Sequence, residues 1–592
     1  MKNKIFILIV CATAFSFCSC NKDKFLTVPS KNLIDDNFVF SSETSSDLVL
    51  ADLYANLPEW ESRTPKGITG APFGAGANNN YDKFENYSDN SCGLSWFMSW
   101  QNSVRPYNAD SYDYSHPGSQ LYNHDYPCIP FKWDGVYGAI RATNKYLEGM
   151  KANEAKFDPS RFKTKLAEAR FIRAHLYHQL WMAYGGVPLV KESLSRLTMD
   201  NTQLFPPRAT QNETAQFIIS ELSDIINSNS LPNTRSQGRA TMGAALALKG
   251  WVELFSHKFA DAASTYKLII DGGVYGLYTT PSSVANDARF GPYNEQFFPQ
   301  NNNNIESIFA LQHKTGVSVN YRLFWANPYY NQVSWSLVQD YRMKDGLTRE
   351  ESPLWKMGAP GFHFYTDREP RFYQSIAYAG SPFFATTYPK EWEASQDKVT
   401  GFLNLKGIDQ NVPITGETAG NFAANTPMIR YAQVLLQYAE AKIELGQIDQ
   451  SVINAIDAVR VRGGIPKLKD SYTGSLASKL GDQSEMRKIV RREERIELAF
   501  ENKRYWDLIR WGNYSGATNY YTAMSELNKP IEGAIEEPDG NGGFKIKTIR
   551  VVSSAFNQKN YLFPIYRGWL ESSPNMTKQN GPEWRNGQNL GY

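Results

Sequence analysis

Apolar residues that recur every three to four positions mark most of this chain as helical. Ser46 to Leu57 places Leu48, Leu50, Leu53 and Leu57 broadly on one side. A helix from about Trp133 to Met150 follows. In KLAEARFIRAHLYHQLWMAYGGVPLV, Leu166, Ala169, Leu176, Tyr177, Leu180, Trp181 and Tyr184 share one face, with Arg170 and Arg173 lying within it. Gly185-Gly186 ends that helix and Val187 to Val190 leaves it extended. Thr214 to Ile226 is a further short helix. RATMGAALALKGWVELFSHKFADAASTYKLIIDGG reads as helix, turn, helix, and IRYAQVLLQYAEAKIELGQIDQSVINAIDAVRVRGG reads the same way with Gly446 in the turn. Both hairpins carry the small-and-large pattern of tetratricopeptide repeats, whose helix pairs bury their apolar faces on one another. They are far apart in sequence, so the array is interrupted. The fold class predicted is mostly α: a tetratricopeptide-like helix-pair array with a large irregular, loop-rich part and short strands.

The periodicity dissolves in two tracts, about 58–130 and 277–427. Ser307 to Gln312 and Gln374 to Tyr378 read as short strands in the second. Long tracts without periodicity in a compact protein are functional or disordered, and their many aromatic residues argue against disorder. The chain has 14 Trp, 34 Tyr and 33 Phe, an excess that makes ligand contact worth considering. Sugar rings present apolar C–H faces and a rim of hydroxyls, so a site for them needs flat aromatic surfaces edged by amides or charges. Tyr81, Trp96, Trp100 and Asn102 in the first tract, and Tyr293, Trp325 and Tyr329 in the second, have those chemistries. The plainer reading is that several of these rings pack the loops onto the helices.

The stretch SEMRKIVRREERIELAFENKRYWDLIRWG reads as one helix from Ser484, a plausible N-cap, to Gly512. Met486, Ile489, Val490, Ile496 and Phe500 share a face with Glu493 and Glu497. A carboxylate carried into a core requires a cationic partner. Arg170 and Arg173 on an apolar helix face are the predicted complement, giving a structural ion pair with Glu493 and Glu497.

At the N-terminus, MKNKIFILIVCATAFSFCSC has two lysines, an apolar run and small residues, which is a secretory signal over 1–19. The run from Ile5 to Phe17 is short for a membrane span. Cys20 follows Ser19 in a sequence that resembles a bacterial lipobox, so Cys20 is the predicted lipidation site. Cys92 and Cys128 remain, a pair too small to define a disulfide framework. A net charge of +2 with no long basic run gives no footprint for nucleic acid. Neither a G-x-S-x-G elbow nor a P-loop is present. His175 and His178 lack a supporting carboxylate triad and read as helix-surface or satisfied core residues. Pro538 to Gly543 hints at a calcium loop, but EF-hand ligand spacing and the closing Glu are missing, so it reads as a turn. No cofactor and no metal are predicted. Glycosidase carboxylates are defined by separation in space, and no segment singles out a pair.

RREERIELAFENKRYWDLIRWG resembles the C-terminal signature of the SusD/RagB family, nutrient-binding lipoproteins of Bacteroidetes outer membranes. The RA…L…YGGVPL stretch, SLVQDYRMKDGL and DREPRFYQSI resemble other motifs of the family, so the resemblance covers nearly the whole mature chain, 20–592. It implies one domain in which helix pairs carry an irregular second part. It also implies a lipid-anchored, outer-membrane protein facing the cell exterior. Such a protein binds oligosaccharide without reaction and delivers it to a SusC-like TonB-dependent transporter, which the repeat hairpins would face. The alternatives are a RagB-like peptide binder and a glycoside hydrolase.

Overall fold

The structure is a computed structural model describing residues 39–55, 57, 84–92, 133–236, 238–282, 284, 286–313, 332–388, 393–394, 400–412, 423–512, 525–553 and 556–590. In chain order the principal helices are α1 (Glu43–Ala55), α2 (Phe84–Tyr87), α3 (Trp133–Ala152), α4 (Pro159–Tyr184), α5 (Gln211–Asn227), α6 (Met242–Phe255), α7 (Phe259–Gly272), α8 (Trp335–Asp340), α9 (Pro370–Ser375), α10 (Tyr431–Glu444), α11 (Gln450–Arg462), α12 (Gln483–Glu497) and α13 (Arg504–Trp511). The principal strands are β1 (Ser91–Cys92), β2 (Ser307–Leu311), β3 (Gln332–Val333), β4 (Ile376–Tyr378), β5 (Phe402–Asn404), β6 (Thr426–Arg430), β7 (Ile531–Pro538) and β8 (Phe544–Val552).

Helices start where the sequence supplies a cap. Asp158 accepts from the amides of Ser160 and Arg161, with Pro159 in the first turn of α4. Thr210 and Glu213 form a reciprocal capping box on α5. Gly185, at φ 72°, ends α4 in a conformation that costs a glycine little. From α3 to α7 each helix packs on the next, and α7 then packs directly on α10. The two sequence-distant hairpins are therefore continuous in space. What joins them is the antiparallel pairing of β2 with β6, which brings Ser307 opposite Arg430 and closes the long excursion at the foot of α10. Close approach within the array depends on small residues: a Cβ on Gly250 would lie 2.7 Å from the Tyr266 ring.

The irregular part has its own core. β1, β3, β5 and β4 form an antiparallel sheet in that order. Val333, Trp335, Leu337, Tyr341, Phe364, Phe372 and Phe402 pack there against Ile496, Ala499 and Phe500. Met486, Ile489 and Val490, earlier on α12, belong to the core of the helical array. α12 thus joins the two cores.

The single helix expected from Ser484 to Gly512 is two helices, α12 and α13, and the N-cap is Asp482, whose side chain accepts from the amide of Glu485. Between them Phe500 and Asn502 adopt φ 62° and 58°. Left-handed backbone at a non-glycine residue costs about 1–2 kcal/mol and persists only where surroundings enforce it. Here the amides of both residues donate to the buried carboxylate of Glu85. No glycine or proline announces this break. Similarly, the strand expected from Gln374 begins only at Ile376, after α9.

The buried carboxylates of α12 have cationic partners, but not the predicted ones. Glu493 meets Arg371 at 2.6 Å and Arg342 at 3.3 Å. Glu497 meets Arg371 at 3.1 Å, Arg430 at 2.7 Å and also Arg462. Arg170 and Arg173 instead pair with the next helix, at 2.9 and 2.7 Å from Glu221, with Arg170 also 2.8 Å from Asp224. Helical phase determines which face of α4 is buried; the repeat packing places α5 opposite that face. Burial opposes ionisation at Glu493, yet Arg371, Arg342 and Arg460 outweigh it and hold its carboxyl at about 2.

Candidate functional site

Both aromatic tracts are rooted on the small sheet beside α12. In the first, the segment bearing Trp96 and Trp100 follows Cys92; in the second, the segment bearing Trp325 and Tyr329 precedes Gln332; and Cys92 and Gln332 are directly paired across β1 and β3. Covalent continuity alone therefore starts one segment and ends the other at neighbouring positions. Thr400, two residues before β5, is also held here: its amide and hydroxyl donate to Gln332 Oε1 at 3.2 Å. Below them Cys92 packs on Ile531 of β7. The far end of the first tract is Trp133, whose ring stacks on Trp569 at 6.1 Å and meets Tyr184 edge-on at 5.3 Å.

Residues 85–90 make the root of the first tract. Glu85 accepts from Phe500 and Asn502 amides and from Asn90 Nδ2, and its own amide donates to Asn502 Oδ1. Burial raises its carboxyl above the usual value, against the pull of Asn90 and the backbone donors. Asp89 takes a bidentate pair from Arg504 at 2.7 and 2.9 Å. Arg504 is raised: burial works against its charge and Asp89 overcomes that. Ser334, immediately after β3, donates its hydroxyl to the Asp89 carbonyl and its amide to the Asn90 carbonyl.

Tyr81, Trp96, Trp100, Asn102, Trp325 and Tyr329, with Cys20 and Cys128, lie outside the described residues. Tyr293 is described, and its predicted role as a sugar platform does not fit. It is fully buried, donates to the Ile496 carbonyl at 3.1 Å, and has Lys406 4.7 Å from its ring centre. The aromatic pattern that selected it does not distinguish a ring facing ligand from one covering buried cations. Sequence reasoning missed Glu85, Asp89 and Asn90. The polar run NYSDNSC before the tract was visible, but nothing local names its partners more than 400 residues away.

His175 and His178 are buried core residues, and burial pushes His175 down to about 3. Among the described residues no group of three or more His, Cys, Asp or Glu is disposed to hold a metal ion. One buried carboxylate pair with opposed shifts is Glu440 and Glu494, both salt-bridged to Arg510. Burial and Glu440 raise Glu494, whereas at Glu440 the cation of Arg510 overcomes burial and lowers it. Both are about 1 % exposed or less, so this pair has the electrostatic asymmetry of an acid–base couple without access for a substrate. Two open grooves of about 640 Å³ lie elsewhere, one along α11 by Asp457, Val461 and Lys467, the other beside α5 by Leu189, Lys191 and Phe217.

Residues 302–584 match the family described as SusD family, and residues 67–254 match one described as starch-binding, associating with outer membrane. A SusD-like protein of Bacteroides ovatus is 23% identical over 540 residues, 87% of this chain and 83% of that one. SusD-like protein P38 of Formosa agariphila is 23% identical over 396 residues, 64% of this chain and 71% of its own length. In fold, a SusD-like protein from Bacteroides fragilis superposes with a TM-score of 0.69 at 24% identity, covering 94% of this chain and 98% of that one. A laminarin-binding SusD-like protein gives 0.56 at 21% identity, covering 93% and 100%. The two family matches take in most of the helical array and most of the irregular part, and the chain belongs to the SusD family.

Proposed function

We propose that this protein is a surface glycan-binding lipoprotein, held in the outer membrane by lipid on Cys20, that binds oligosaccharide without chemical change and passes it to a SusC-like TonB-dependent transporter. The observation that carries the reading is the pairing of Cys92 with Gln332. It gives the tract bearing Trp96 and Trp100 and the tract bearing Trp325 and Tyr329 a common root on a rigid scaffold, where binding residues tend to sit. Glycan binding is also supported by the outer-membrane, starch-binding family description and by the laminarin-binding neighbour. Binding rather than hydrolysis accords with the burial of the Glu440–Glu494 pair. The test is a glycan array with peptide controls, followed by incubation with retained glycans and analysis for released sugar. Retention of a glycan without product is expected. Retention of peptides alone would replace the reading with a peptide binder, and released product would replace it with a hydrolase.

A further inference from the structure

The ladder joining β1 to β3 is two residues long, Ser91 with Val333 and Cys92 with Gln332. So short a pairing is weak by itself and sets register poorly. Side chains supply what the ladder lacks, and one of them reaches both strands' roots. Arg495 of α12 donates from Nε to Asn90 Oδ1 at 2.8 Å and from Nη2 to the Asp89 carbonyl at 3.2 Å, with the Asp89 carboxylate at 3.0 Å. The same guanidinium donates to Asp340 Oδ2 at 2.5 Å and to Ser336 Oγ at 2.9 Å. Asp340 and Ser336 belong to α8, which follows β3 directly. Arg495 is 6% exposed, and its Nε serves the Asn90 side of this junction, its Nη1 the Asp340 side and its Nη2 both. A planar fork with fixed donor directions holds two partners in one relative geometry, which a lysine ammonium on a flexible stem does not. Each carboxylate also has a second cationic partner, Arg504 at Asp89 and Arg492 at Asp340. Charge balance alone leaves the bridging geometry of Arg495 unexplained.

We propose that Arg495 is a positioning residue for ligand binding: by bridging Asp89 and Asn90 to Asp340 and Ser336, it sets the register in which the roots of the two aromatic tracts are joined. The link to ligand rests on the glycan-binding reading above; the register claim stands without it.

The test uses the full mature chain. Each tract holds an internal chymotryptic site, Tyr107 in the first and Phe324 in the second. In Arg495→Lys, cleavage at both sites should accelerate together, by about fivefold or more, as the open population rises. Ser91 and Val333 face one another in the ladder, so S91C with V333C provides a covalent substitute at a separation suited to a disulfide. Oxidised, this tether in the Arg495→Lys background should return both cleavage rates to the wild-type range, and reduction should release them. Asp340→Asn, which leaves Asp89 bonded to Arg495 and Arg504, serves should Arg495→Lys fail to fold, and should show the same paired acceleration. If wild type retains starch or laminarin oligosaccharides, affinity should fall about tenfold or more in the variant and recover with the tether. Unchanged cleavage rates, acceleration at one site only, or acceleration that the formed tether leaves in place would each overturn the proposal. Failure of wild type to bind any glycan would overturn the glycan reading instead, with cleavage still deciding the register claim.

Discussion

Replacing Glu497 by Gln tests whether the α12 carboxylates hold the two cores together. Glu497 is completely buried and its carboxylate meets Arg371, Arg430 and Arg462. The connected cluster has five carboxylates, Glu306, Glu369, Glu493, Glu497 and Glu501, against six cations, Arg342, Arg371, Arg430, Arg460, Arg462 and Lys406. Glu497→Gln leaves four against six. Arg371 keeps Glu369 and Glu493, and Arg430 keeps Glu306 and Glu501, but Arg462 keeps only Glu306. Removing one partner of a buried pair costs roughly 3–5 kcal/mol. The amide still offers hydrogen bonds, which favours the lower end, about 3 kcal/mol. That is a large fraction of the roughly 5–15 kcal/mol that stabilises a folded protein. Equilibrium denaturation should show a lower midpoint at unchanged slope. Arg170→Ala is the comparison: its side chain is 28% exposed, and its loss should cost about 1 kcal/mol or less. A Glu497→Gln loss below about 1 kcal/mol, or an Arg170→Ala loss of equal size, would refute the reasoning. The cluster should also fail in acid. Arg371 at Glu493 and Arg430 at Glu501 overcome burial and hold both carboxyls at about 2, below the ordinary 4.5, so their stabilisation is present above 4.5 and is lost as pH falls toward 2.

His175→Phe should reduce the slope of stability against pH between 6.5 and about 4 by one proton, about 1.4 kcal/mol per pH unit, because burial holds this histidine near 3 while the unfolded chain takes up its proton first. An unchanged slope in denaturation series across that range would argue against it. Trp96→Ala, Trp100→Ala and Trp325→Ala should each weaken binding of a retained glycan by about 2 kcal/mol, some thirtyfold, at unchanged melting temperature. Normal binding by all three, or unfolding of all three, would move the site elsewhere. Cys20→Ala should leave the fold intact and shift the protein from the membrane to the soluble fraction; equal membrane recovery would remove the lipid anchor.

The sequence by itself determined the helices of the array, because amphipathic spacing and capping residues such as Thr210, Glu213 and Asp158 act within a few residues of one another. It also determined that Glu493 and Glu497 are buried among cations, since a helix face is a local property. Which cations was decided only by tertiary structure. Arg342, Arg371, Arg430 and Arg462 come from a loop, a short helix, a short strand and the second hairpin, and no local pattern ranks them above Arg170 and Arg173. The break between α12 and α13 escaped for the same reason: Phe500 and Asn502 take left-handed backbone because Glu85, distant by over 400 residues, accepts from their amides. Tyr293 looked like a ligand ring because composition reports an aromatic face without saying what lies over it. The sequence placed two aromatic tracts in two loops. Their common root lies in Cys92 opposite Gln332 and in one arginine bonded to both sides, contacts that chain folding alone brings together.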